Sequence, residues 1–122
     1  MPKVIHFEIS CDYVERAGKF YSTVFGWKTE KSDEQDDYWF VSADDDDEYD
    51  TTAGLMPRDY ANASTVNTFE VPSIDSYAKR VTEAGGRVVA PKMSIPGIGH
   101  LVYCYDTEGN VFGIMEFDES AP

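Results

Sequence analysis

The chain has 122 residues, 42% of them hydrophobic, which suffices for one sizeable core and not for two independent ones. Its 23 Asp and Glu against 10 Lys and Arg give a formal charge of -13, so nucleic acid and anionic membrane surfaces would be repelled. No apolar stretch reaches the roughly 20 residues of a membrane span or has the form of a signal peptide, and a cytoplasmic location is expected.

The first predicted element is a strand over residues 4–10, whose alternation puts Phe7, Ile9 and Cys11 on one face. A helix follows, with Val14, Ala17, Phe20, Tyr21 and Val24 at helical spacing. Asp12 and Glu15 have the spacing of a capping box, and Gly26 supplies a left-handed stop. Three strands are expected next, over 27–31, 38–43 and 51–56, and then a polar linker over 58–65. The pattern restarts with a strand over 66–71, carrying Phe69 and Val71 on one face. Its helix is marked by Ile74, Tyr77, Ala78, Val81 and Ala84, with Ser73 as N-cap and Gly85-Gly86 as the stop. Strands over 87–92, 100–105 and 111–117 close the second copy, the last two joined by a turn at Asp106–Asn110 in which Gly109 takes positive φ.

The chain is therefore one unit of about 60 residues written twice. His6 to Glu15 lies over Val66 to Asp75 without a gap, Gly26 lies over Gly86, and Ala53-Gly54-Leu55-Met56 matches Phe112-Gly113-Ile114-Met115. The predicted class is α+β: two βαβββ units, about 1–57 and 66–117, pairing into a curved mixed sheet that forms a cup-like half-barrel with helices outside, in a single domain. A functional site is expected where the copies face each other. Cys11 and Cys104 lack metal or redox spacing and are read as reduced core residues. The acidic runs at 33–37 and 44–50 lack the Gly and spaced ligands of a calcium loop; they are read as solvated loops of a surface adapted to high salt.

His6-Phe7-Glu8-Ile9, the stretch from Glu15-Arg16-Ala17 through Phe20-Tyr21 to Val24-Phe25-Gly26-Trp27, Glu83-Ala84-Gly85-Gly86, and Asp106 to Gly113 together resemble the vicinal oxygen chelate superfamily. That superfamily includes glyoxalase I, bleomycin-resistance proteins and extradiol dioxygenases, and the form around Phe20 to Trp27 looks like its glyoxalase-like subgroup. Thr107 stands where the family usually has Pro after the turn aspartate. The resemblance implies metal ligands on the first and last strand of each unit, which here are His6, Val66, Gly54 and Gly113. Of these only His6 has a donor, whereas a divalent site needs about three. No metal cofactor is therefore expected. A rearranged site would have to draw on Glu8, Glu70 or, more remotely, Glu116, with Glu8 and Glu70 predicted to share the cup face with His6 and Thr68.

Gly54 and Gly113 should lie on the cup floor, either opening room for an organic ligand or making room for an aromatic such as Trp39. His6, Glu8 and Glu70 are the candidate catalytic residues, His6 as a general base, although the pleat should keep the tips of His6 and Glu8 apart. The bland alternative for His6 is a cup-lining histidine hydrogen-bonded to a neighbour. His100 reads as a loop residue. The expected ligand-binding cup comprises His6, Glu8, Trp39, Gly54, Thr68, Glu70, Tyr103 and Gly113. The sequence thus points to a glyoxalase-like protein binding a small organic molecule without a metal, expected to form a homodimer. The alternative is a metal-dependent lyase or isomerase of the glyoxalase I type centred on His6.

Overall fold

The computed structural model describes residues 2–33, 38–42, 52–58 and 65–122. Two compact units divide the chain, one of Ile5–Val66 and one of Asn67–Pro122 with Met1–Val4. The class is α+β. Among the described residues no helix is long and apolar enough to cross a membrane. The run at 44–50 and most of the one at 33–37 lie outside the described residues, as does most of the linker.

The first unit contains β1 (Val4–Cys11) from Ile5 onward, then α1 (Val14–Phe25), β2 (Lys28–Lys31), β3 (Trp39–Ser42) and β4 (Thr52–Pro57). Strand order is β2-β3-β4-β1, with β4 parallel to β1 and the other pairs antiparallel. The alternation read from the sequence decides what each face carries. Phe7, Ile9 and Cys11 join Val41, Leu55 and Trp39 beneath Val14, Ala17 and Tyr21 of α1. α1 stops at Gly26, whose φ of 72° is the left-handed cap expected there. Its start differs from expectation: Tyr13 occupies the N-cap with no side-chain hydrogen bond, and no capping box forms. Asp12 instead accepts a hydrogen bond from Arg58 Nε at 3.0 Å, just beyond β4.

The second unit contains most of β5 (Thr65–Glu70), then α2 (Ile74–Glu83), β6 (Arg87–Val88), β7 (Met93–Ile95), β8 (Gly99–Tyr105) and β9 (Val111–Phe117). β9 lies parallel to β5 and antiparallel to β8, while β6 and β7 both pair with β8. The strand expected over 87–92 is ladder-paired only at Arg87–Val88, and β7 at Met93–Ile95 is a further short strand that the sequence reading did not place. Val89 N–H still donates to Tyr103 O at 2.8 Å, but Pro91 has no N–H to offer, and the ladder resumes only at Met93. Val71, Ile74, Val102, Cys104 and Ile114 form the core under Tyr77, Ala78 and Val81 of α2. Ser73 caps α2 as expected, accepting from Ser76 N–H at 3.2 Å. Glu116 adds a second cap, its Oε1 accepting from Ile74 N–H at 2.8 Å. Both cysteines are buried and free, and burial pushes both thiols up from their ordinary pKa.

Candidate functional site

The sheet face turned away from the helix carries His6, Glu8 and Ser10 in the first unit and Thr68 and Glu70 in the second. In the first unit the β1–β4 register pairs His6 with Thr52, Glu8 with Gly54 and Ser10 with Met56, and β3 adds Phe40 opposite Gly54. His6 Nδ1 lies 2.6 Å from Thr52 Oγ1, and His6 Nε2 lies 2.9 Å from the Tyr38 hydroxyl. Thr52 Oγ1 also reaches Ile5 O at 3.5 Å, where it is the donor. One tautomer satisfies all three contacts: Nδ1–H donates to Thr52, Thr52 donates to the Ile5 carbonyl, and Tyr38 donates to the bare Nε2.

Glu8 is only 6% exposed, and its Oε2 stands 3.6 Å from His6 Nε2. The expectation that the pleat would separate these two tips is therefore wrong. Residues two apart on one strand point the same way, and both long side chains lean along the strand toward each other. At 3.6 Å the contact is too long for a hydrogen bond, and it is an ion pair only when the imidazole carries both protons. Next along the row, Ser10 is also buried, and its Oγ is the one buried side-chain polar atom among the described residues without a partner.

Trp39 is not part of this face. It precedes Val41 by two residues and packs with it on the helix side, against Leu55 and α1. The open floor at Gly54 is absent as well, because a Cβ there would run into the hydroxyl and ring of Tyr38. An aromatic does fill the space, but the phase of β3 makes it Tyr38 rather than Trp39.

In the second unit Thr68, Glu70, Tyr103 and Gly113 share the helix-free face, since Gly113 is registered with Thr68 on one side and Tyr103 on the other. Here too the glycine is covered: a Cβ on Gly113 would lie 2.7 Å from Thr68 Oγ1 and 3.3 Å from Leu101 Cδ1. Glu116 points to the helix side, where it caps α2, and supplies nothing to this face. His100, read from the sequence as a loop residue, is the second residue of β8, paired with Glu116 of β9, and it donates from Nε2 to Asp118 Oδ2 at 3.2 Å, which makes it the anchor of the segment after β9.

Tyr38 and Thr52 were missed as site residues. The signal for Thr52 was its place two residues before Gly54, on the same face of a strand expected to lie near His6. For Tyr38 it was the buried phase of Val41, which turns Tyr38 and Phe40 to the helix-free side.

A profile of the Glyoxalase/Bleomycin resistance protein/Dioxygenase superfamily matches residues 3–114. The chain belongs to this superfamily. No curated protein matches it by sequence. Among solved structures, methylmalonyl-CoA epimerase from Mycobacterium tuberculosis is 16% identical with a TM-score of 0.64, covering 98% of this chain and 88% of its own. A superfamily member from Vibrio splendidus 12B01 has a TM-score of 0.70 at 13% identity, covering 97% of this chain and 100% of its own. A hypothetical protein from Bacillus halodurans C-125 gives 0.66 at 14%, with 99% and 98% covered. At these identities the likeness shows the fold alone.

Many members of such a superfamily hold a divalent metal, and the residues here do not fit one. Val66, Gly54 and Gly113 have no donor atoms, Tyr38 covers Gly54, and both nitrogens of His6 already have partners. Among the described residues no group of three or more His, Cys, Asp or Glu is placed to hold an ion.

Proposed function

We propose that the protein binds a small organic molecule through the helix-free face of its first unit, with His6 and Glu8 as the polar contacts and without a resident metal. The observation that carries this reading is the burial of Glu8 beside His6 on a sheet face where apolar residues would be more stabilising. A buried carboxylate against an imidazole is costly to keep, and such departures from the burial rule concentrate where chemistry is done.

The arrangement suits a ligand rich in hydroxyl or carbonyl groups. Glu8 accepts hydrogen bonds from it, and His6 exchanges its bond to Tyr38 for one to the ligand. His6 and Glu8 also supply the pair needed to move a proton on a bound molecule, the imidazole taking it and the carboxylate steadying the charge that results.

Dialysis of the purified protein against zinc, nickel, manganese or iron, followed by elemental analysis, is expected to leave no stoichiometric metal. One equivalent held tightly in the parent and lost in His6→Ala would overturn the metal-free reading and favour the glyoxalase I type of chemistry. Ligand-observed NMR with a panel of hydroxy and keto acids should then reveal a binder. Its affinity should survive chelator and fall in both His6→Ala and Glu8→Gln, and a binder indifferent to both substitutions would sink the proposed site.

A further inference from the structure

A concavity lies between the end of β1 and the start of α1, and none of the chemistry above uses it. It is a groove of about 430 Å³ whose apolar wall is made by Ile9, Ala17, Phe20 and Tyr21. That volume is in the range of sites for small organic molecules. Tyr13, 64% exposed, and Phe20, 56% exposed, hold their rings in solvent at its edge. Large aromatics left uncovered beside a concave surface are the usual material of a recognition site.

The charge in the groove runs against that of the chain. Arg16, Arg58 and Asp12 line it, so it carries one net positive charge within a protein of formal charge -13. Arg58 spends Nε on Asp12 at 3.0 Å, and among the described residues no other carboxylate pairs with its guanidinium. The Arg16 guanidinium sits 4.5 Å above the centre of the Tyr13 ring, and among the described residues no carboxylate pairs with it. The first-turn N–H groups of α1, which Tyr13 leaves without a side-chain cap, add partial positive charge of the same sign.

We propose that this groove is a separate binding site for a small organic monocarboxylate with an aromatic or branched apolar body. The carboxylate engages Arg16 in the planar two-bond geometry that guanidinium groups favour, with Arg58 beside it, and the body lies along Ala17 and Phe20. One net positive charge matches a monoanion and leaves a dianionic phosphate half uncompensated. Neither His6 nor Glu8 lines the groove, so this site is separate from the one proposed above.

Calorimetric and NMR titration of the whole protein with 3-phenylpropionate at low ionic strength tests the assignment. Amide shifts should cluster at residues 9–21 and 58, and affinity should fall about tenfold or more in Arg16→Gln, partly recover in Arg16→Lys and stay unchanged in Lys79→Gln. The neutral 3-phenylpropanamide should bind at least about tenfold more weakly, and inorganic phosphate should not compete. Equal binding of acid and amide, or an Arg16→Gln variant that binds as the parent does, overturns the proposal. So does a homodimer that Phe20→Ser converts to monomer, since a second copy would then be the occupant of this face.

Discussion

The two units run on one backbone plan and spend it differently. At matching places of the sequence repeat, His6, Glu8 and Ser10 on β1 face away from the helix, and Val66, Thr68 and Glu70 stand on β5. The matching glycines are both covered, yet by unlike means: Tyr38 reaches over Gly54 from the start of β3, whereas Gly113 is closed by Thr68 and Leu101 on the two strands flanking β9. The helices diverge too. α2 has Ser73 and Glu116 at its N-terminus, while α1 starts on an uncapped Tyr13 and leaves Phe20, Val24 and Phe25 exposed. Duplication thus fixes the architecture, and the imidazole–carboxylate pair of His6 and Glu8 has no counterpart at Val66 and Thr68.

Filling the two glycines is the most severe test of that contrast. Gly113→Leu forces a branched chain against Thr68, a β-branched residue with 1% of its surface exposed, and should cost about 3 kcal/mol through overpacking. Gly54→Leu should cost about 1 to 2 kcal/mol, because the Tyr38 ring is the outer end of a long side chain and is able to swing aside. Urea unfolding measures both. A stabilised variant at either position would show open space under that face and restore the empty floor considered from the sequence.

Removing the Tyr38 hydroxyl comes next in size. Tyr38→Phe deprives His6 Nε2 of its 2.9 Å partner and should cost about 1 kcal/mol, the usual net worth of one such bond. Long-range nitrogen–proton NMR should find the neutral His6 ring with its proton on Nδ1 in the parent, and Thr52→Val should shift that population. A ring protonated on Nε2 in the parent would reverse the donor order assigned to the row from Tyr38 to Thr52.

Much of this was legible from residues alone, and the losses have identifiable causes. Period-two alternation in β1 and β5 and the helical spacing in α1 and α2 are strong signals, because each element buries one face against one partner. β3 was harder. It has four residues, Tyr38 to Phe40 are all aromatic, and a one-residue slip in phase moves every side chain to the other face, which is how Trp39 was put in the place of Tyr38. The Asp12 and Glu15 spacing failed because Arg58, remote in sequence, competes for the Asp12 carboxylate. The contact between His6 and Glu8 depends on side-chain lean, which alternation does not report. At Pro91 the gap in pairing with β8 was readable, since proline withholds the donor that a ladder requires.

The helices offer a milder comparison. The alignment of the two copies puts Gly18 over Ala78 and Tyr13 over Ser73, so α1 is remade toward α2 by two substitutions. A Cβ on Gly18 would meet Leu55 Cδ1 and Thr29 Cγ2 at 3.5 Å, ordinary packing distances, and Gly18→Ala should stabilise by about 0.5 to 1 kcal/mol. Tyr13→Ser should supply the missing cap and add a similar amount, about 0.5 to 1 kcal/mol. Hydrogen exchange along α1 should slow in both variants. Unchanged exchange would mean that packing on the sheet, rather than helix propensity, governs this element.

The smallest expected effect belongs to the turn that closes the second unit. Asp106 Oδ1 accepts from Glu108 N–H at 2.8 Å and Asn110 N–H at 2.9 Å, and its Oδ2 accepts from Asn110 Nδ2 at 3.2 Å. These bonds, the one from the Asn110 backbone foremost, hold its carboxyl below the ordinary aspartate value. A depressed folded-state pKa contributes stability above the unfolded value and loses it as pH falls through the folded one. The group is fully exposed, so the contribution is small, and Gly109 at φ 80° holds the turn in shape without it. Asp106→Asn keeps an acceptor but removes the charge. Its melting temperature should therefore lie below that of the parent at neutral pH and converge with it in strong acid, once the parent carboxyl is protonated. A gap of the same size at neutral pH and in strong acid would mean that shape alone, and not the charge on Asp106, ties β8 to β9.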